Sequence, residues 1–116
     1  MLDWIELSKQ PDHETMELFK EAYSDPYLIT SKWTATPEVW KNLSSNPAAI
    51  DLLQFAIDKH NDNRHNIDWI ELAYNPNPDV FEFIDEHVYV LRYMEEEDQE
   101  IFWNTLHYNW NNNFTV

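Results

Sequence analysis

Apolar residues recur three and four positions apart through most of the chain. Ile50, Leu53 and Ile57 form one such stripe, widened by Leu52 and Phe55. Met16, Phe19, Ala22 and Tyr23 form another, and Ile101, Phe102 and Leu106 a third. This is the period of a helix with one buried face, so the pattern predicts an all-α fold. The run Val80, Phe81, Ile84, Val88, Leu91 predicts a helix from Pro78 to about Met94. His87–Leu91 is rich enough in β-formers to leave a strand open, and the helix is preferred.

The polar and proline positions divide these stripes. A first helix from Leu2 to Ser8 carries Trp4 and Leu7, and Pro11 opens a second, with Asp12 and Glu14 complementing its positive end. Ser24-Asp25-Pro26 starts a short turn or helix through Tyr27, Leu28 and Ile29, and Thr30–Thr36 is a connection holding Trp33. Thr36-Pro37-Glu38 caps the helix of Val39, Trp40 and Leu43, and a further helix runs from Pro47 to about Lys59. Asn61–His65 is a polar loop. Glu95–Asp98 favours the start of a last helix, whose tail from Trp110 to Asn113 is expected to fray.

A motif underlies this punctuation. Counting from a tryptophan, Leu follows at the third position, Ser or Ala at the fourth, Asn or Gln at the sixth and Pro at the seventh. Three copies fit: Trp4/Leu7/Ser8/Gln10/Pro11, Trp40/Leu43/Ser44/Asn46/Pro47 and Trp69/Leu72/Ala73/Asn75/Pro76. A fourth, Trp103/Leu106/His107/Asn109, has Trp110 where the proline should be. Trp and Leu three apart share a helix face, and the residue before proline is driven out of helical geometry, which ends that helix. Asn46 then stands where an N-cap belongs, with Pro47 at the first position of the next helix. The third copy has a doubled junction, Asn75-Pro76-Asn77-Pro78, and a two-residue insertion aligns Phe81 with Ile50 and Ile84 with Leu53.

The motif tryptophans lie 36, 29 and 34 residues apart, about the length of one helical pair in repeat arrays. The expectation is a single domain over residues 1–116, a small irregular solenoid or bundle of stacked helix pairs. Its copies lie near 2–24, 37–60 and 67–93, with a degenerate one at 97–110. The string Trp40–Leu53, with Ile67-Asp68-Trp69 leading into the next copy, resembles the short W-x-x-L-S-x-N-P-x-A-I-x-L-L repeats of giant DNA virus proteins. The other copies depart from it at Gln10, at Ala73 with the doubled proline, and at Trp110. The resemblance implies an interaction module with no catalytic residues to carry over, in the host cytoplasm or a virion.

Composition narrows the function further. Glycine is absent, so neither a phosphate-cradling loop nor a dinucleotide fingerprint can be built. Cysteine is absent too, which removes disulfides, thiolate metal sites and a Cys nucleophile. With 22 acidic against 7 basic residues the formal charge is −15. Direct binding to nucleic acid or to anionic membrane is therefore not expected. No apolar run approaches the roughly 20 residues of a membrane span, and the acidic start is unlike a secretion signal. The expectation is a soluble intracellular protein.

The candidate chemistry is thin. His13 and Glu17 stand four apart on one helix face, and His60 and His65 flank a loop holding Asp62, but helix-start and turn roles explain both sets. Ser44 and Ser45 read as helix-terminus residues, and Glu95–Glu100 as a solvated acidic face. No catalytic, metal or cofactor residues are assigned. The motif tryptophans are expected in the core, whereas Trp33 and Trp110, outside the motif's logic, are the candidate protein contacts, with covering the ends of the core as the alternative. The chain reads as a non-catalytic binding or structural module whose partner is a protein, either basic or a capsid or assembly component. A DNA-mimicking inhibitor of a basic nucleic-acid-binding protein is the alternative.

Overall fold

A computed structural model describes residues 3–24 and 33–113. Among them the regular elements are all helical: α1 (Trp4–Leu7), α2 (His13–Ser24), α3 (Pro37–Ser45), α4 (Ile50–Lys59), α5 (Trp69–Ala73), α6 (Asp79–Glu86) and α7 (Glu96–Asn113). Short 3-10 segments stand at Trp33–Ala35, Asn61–His65 and Val88–Tyr93. Leu2, the expected turn at Asp25-Pro26 and Tyr27–Ile29, and residues 30–32 lie outside the described residues.

Aspartates set several of the starts. Asp3 accepts from the Glu6 amide at 3.2 Å, Asp12 from the Thr15 amide at 2.8 Å, and Asp68 from the Glu71 amide at 3.0 Å. Each satisfies an amide that the first helical turn leaves without a partner. The second helix accordingly begins at His13, behind Asp12, and not at Pro11. The segment expected as a polar loop, Asn61–His65, is a 3-10 turn. Asn63 anchors it from inside, donating to the Ala56 carbonyl at 2.7 Å and to the Tyr23 hydroxyl at 3.0 Å.

The helices form two rows. The helices carrying the motif pack in chain order, α1 on α3, α3 on α5 and α5 on α7, while α2 packs on α4 and α4 on α6. The molecule is correspondingly long and thin, 44 × 31 × 20 Å. Apolar side chains fill the space between the rows. In the first half an aromatic chain runs through it, Trp4 to Phe19 at 4.8 Å, Phe19 to Trp33 at 5.2 Å and Trp33 to Trp40 at 5.2 Å. In the second half Trp69 stacks on Phe83 at 5.9 Å.

The motif's asparagine ties one copy to the one before it. The Asn46 amide donates to the carbonyls of Ser8 (3.0 Å) and Gln10 (2.8 Å). Asn75 donates to those of Ser44 and Asn46, both at 3.0 Å, and Asn109 to those of Ala73 (2.9 Å) and Asn75 (2.8 Å). The acceptors are in each case the fourth and sixth positions of the preceding motif. The reason lies in the proline at position seven: the helix breaks there, and carbonyls just before the break lose the amides that would have bonded them. The next copy's carboxamide supplies both missing donors. Ser44 adds a second tie, its hydroxyl donating to the Trp40 carbonyl and accepting from the Asp68 amide at 3.0 Å.

This corrects the N-cap expected at Asn46. Its Nδ2 is committed across the row, and its Oδ1 accepts from the Ala48 amide at 3.0 Å, closing a tight turn over Pro47-Ala48. The next helix therefore begins at Ile50 instead of Pro47. Asn75 closes the same turn onto the Asn77 amide.

Two further expectations change. The helix expected over Pro78–Met94 is neither continuous nor a strand, for α6 stops at Glu86 and the chain continues as the 3-10 segment Val88–Tyr93. Val88 and Val90 are β-branched and stiff at χ1, and with the aromatic Tyr89 between them they disfavour prolonging the α-helix; Val88 faces solvent while Val90 and Leu91 turn inward. In the third copy Val80, Phe83, Ile84 and His87 are buried as Ala49, Leu52, Leu53 and Ala56 are 31 residues earlier, the expected offset, although Phe81 is only half-buried where Ile50 is buried. Lastly, α7 runs through Trp110 to Asn113 without the expected fraying, since no proline interrupts it.

Candidate functional site

The two tryptophans outside the motif's logic have opposite environments. Trp33 is 2% exposed, and its indole N–H donates to the Phe19 carbonyl at 3.1 Å while its ring packs between Phe19 and Trp40. Its expected role as an exposed contact is thus corrected in favour of the alternative, a place in the core. Trp110 is 45% exposed on α7, edge-on to Phe81 of α6 at 4.9 Å. Among the motif tryptophans, Trp4, Trp40 and Trp69 are buried, but Trp103 is 46% exposed. Uninterrupted helix explains the difference. In α7 the buried stripe is Phe102, Thr105 and Asn109, three and four residues apart, so Phe102 takes the inner place and Trp103 rotates out of it.

At about 100° per residue, Trp103, Leu106 and Trp110 share one flank of α7, beside the buried stripe. Contact between Trp110 and Phe81 turns that flank toward α6. Glu96 and Glu100 continue it toward the helix start, seven and three residues before Trp103, and both are exposed. Ile101 and Tyr108, seven apart, are exposed on the other flank. The sequence signal for Trp103 was the seven-residue interval to Trp110, hidden by the assumption that the fourth copy keeps the phase of the others.

The histidine pairs are surface features. His13 Nε2 lies 3.6 Å from Glu17 Oε1 and His60 Nδ1 3.9 Å from Asp62 Oδ2, all four side chains being largely exposed. Among the described residues no three His, Asp or Glu side chains are grouped closely enough to hold a metal ion. Ser44 is fully buried, with its hydroxyl engaged in two structural hydrogen bonds.

His87 is the one titratable side chain whose setting departs most from water. Gln54 directs its Nε2 to Asp58 at 2.9 Å, which leaves its Oε1 facing the His87 Nε2 at 3.0 Å, so the neutral ring carries its proton on Nε2. Nδ1 is buried with no partner. Burial, and then the Arg64 guanidinium, push the imidazole below its ordinary range, against an opposing pull from Glu86 and Asp58.

Two of the surface hollows are lined by described residues. One, of about 410 Å³, lies between His65, Trp69, Val90, Tyr93, Met94 and Asp98. The other, about 270 Å³, is bordered by Asp51, Asp79, Glu82 and Glu86 over a floor of Ile50 and Phe83. Neither assembles a nucleophile with a base. No family model matches this chain, nor does any curated protein or solved structure, so its role is argued from its own residues.

Proposed function

We propose that the chain is a short helical-repeat protein, without a catalytic role, that binds another protein or packs as a minor part of a larger assembly. The observation that carries this reading is where the large exposed apolar side chains fall. Among the described residues these are Tyr74, Val88, Tyr89, Tyr93, Ile101, Trp103, Tyr108 and Trp110, all in the second half of the sequence and four of them on α7. Clustered exposed aromatics are unfavourable unless something covers them, and indoles and phenols concentrate binding energy when they are covered. The repeat architecture is supported by the two rows and by the asparagine rungs at equivalent positions. The resemblance of Trp40–Leu53 to giant DNA virus repeats supports a role in an infected cell or a virion.

A second reading, an acidic protein that mimics DNA and occupies a basic cleft, is favoured by the four carboxylates gathered around the hollow between α4 and α6. Affinity capture from the native cell or particle, with mass spectrometry of what is retained, tests both. A specific protein partner held through about 0.3 M salt supports the aromatic reading, since apolar contacts are little screened. Release below that points to charge mimicry, and capture of no protein above background overturns both.

A further inference from the structure

We infer that the hollow beside Tyr93 receives an arginine side chain of the partner protein. This deepens the protein-binding reading above and rests on it. Three stretches of chain meet to build the hollow: the turn into α5 brings His65, Asp68 and Trp69, the end of the last 3-10 segment brings Val90, Tyr93 and Met94, and the first turn of α7 brings Asp98. Its volume of about 410 Å³ lies near the small end of the roughly 300–1,000 Å³ of ligand sites, room for one long side chain and not for a folded segment. The floor is apolar, made by the buried Trp69 and Val90 and the half-buried Met94. Tyr93 rises at the edge, edge-on to the His65 ring at 5.5 Å, and at 72% exposure it is the most exposed large apolar side chain among the described residues. An aromatic ring left in water beside a hollow is an unfilled half of a contact.

Charge decides which side chain fills it. Asp68 and Asp98 both line the hollow, and no Lys or Arg does. Asp68 caps α5 through the Glu71 amide, whereas the half-buried Asp98 carboxylate has no hydrogen-bond or ion-pair partner among the described residues. A neutral apolar occupant would strip water from both carboxylates and return nothing. An ammonium would meet the charge but stays strongly hydrated and offers no plane to the rings. A guanidinium does both: it stacks on aromatic faces, donates in pairs to a carboxylate, and trails a methylene stem that can cover Met94 and Val90. The chain already makes one such pair within itself, for the Arg64 guanidinium lies 4.7 Å from the centroid of the Tyr89 ring. A second copy of this chain is disfavoured as the source of the arginine, because it would bring another charge of −15 against the first.

The probe is the blocked tripeptide acetyl-Ala-Arg-Ala-amide, set beside the same peptide with lysine or with citrulline, which keeps the shape of arginine and loses its charge. Each is titrated at about 0.15 M salt into the isotope-labelled full chain, and the amide and indole chemical shifts are followed. Expected are saturable shifts gathered in residues 65–70, 90–94 and 98, an affinity for the arginine peptide roughly threefold or more above that for lysine, and no saturation with citrulline. Asp98→Asn and Tyr93→Ala should each weaken the arginine peptide by roughly threefold or more, with thermal unfolding confirming that each variant is folded. Glu86→Gln, at the other hollow, should leave it unchanged. Equal affinity for lysine, shifts gathered instead around Asp51, Asp79 and Glu82, affinity indifferent to both variants, or no saturation with the arginine peptide overturns the inference. So does sedimentation as a dimer that Arg92→Gln dissociates, since a second copy would then be the occupant. A captured partner whose footprint misses Tyr93 and Asp98 sinks this inference alone; the protein-binding reading fails only when capture retains no partner.

Discussion

At the motif's sixth position a single carboxamide satisfies two carbonyls of the preceding copy, so its removal leaves two buried acceptors bare. Asn75→Ala is expected to destabilise the fold by about 2–4 kcal/mol, counting roughly 1–2 for each acceptor, read as a shift in the urea midpoint. Gln10→Ala, at the exposed equivalent, should change it by less than about 0.5 kcal/mol. The tryptophans divide the same way: Trp40→Ala should cost about 3–5 kcal/mol, and Trp103→Ala far less. His87 links stability to pH. Its ring is held neutral below the unfolded pKa of 6.5, so the unfolded chain takes up the proton first. The contribution is intact above about pH 6.5 and drains as pH falls beneath it, toward the depressed folded value. Urea midpoints at descending pH should fall faster for the wild type than for His87→Gln.

Elements were legible where a side chain caps or a proline breaks them. Asp3, Asp12 and Asp68 start helices through bonds to amides three residues on, which is local chemistry. Boundaries were misplaced where a distant partner decided them. Asn46 was read as a cap because the sequence shows only its neighbours, whereas its Nδ2 is drawn to carbonyls 36 and 38 residues back and the helix start moves to Ile50. In α7 the missing proline changes the phase of the whole copy. Trp110→Pro, which would restore the motif's spelling, is therefore expected to destabilise by about 3 kcal/mol, because position 110 is helix interior here and a turn at Pro47. Trp110→Ala separates loss of the ring from loss of the helix, and the far-ultraviolet circular dichroism of the two variants reads the difference.

At the scale of the whole molecule, few ion pairs among the described residues offset the excess of carboxylates. Lys9–Glu6 and Lys20–Glu17 join neighbours on the same stretch of chain at the surface, where such pairs contribute little. A net charge of −15 therefore acts as self-repulsion, and the melting temperature should rise as sodium chloride is raised from about 0.02 to 0.3 M. The site scale follows the same division as the fold. Trp110 is exposed, as its break of the motif predicts; for Trp33 the sequence leaves an exposed contact and a core place both open, and for Trp103 the motif predicts a core place that the structure does not give. Their burial depends on which helices meet, and no local pattern encodes that.

What the sequence by itself determined is the helical character of the chain, the places where proline interrupts it, and the inward direction of Trp4, Trp40 and Trp69, all consequences of interactions spanning at most a few residues. Only the tertiary structure decided that Asn46, Asn75 and Asn109 bind the copy before them, that Trp33 is interior, and that Trp103 and Trp110 stand half-exposed on α7. Those outcomes depend on contacts between segments about 30 residues apart, whose partners are chosen by packing.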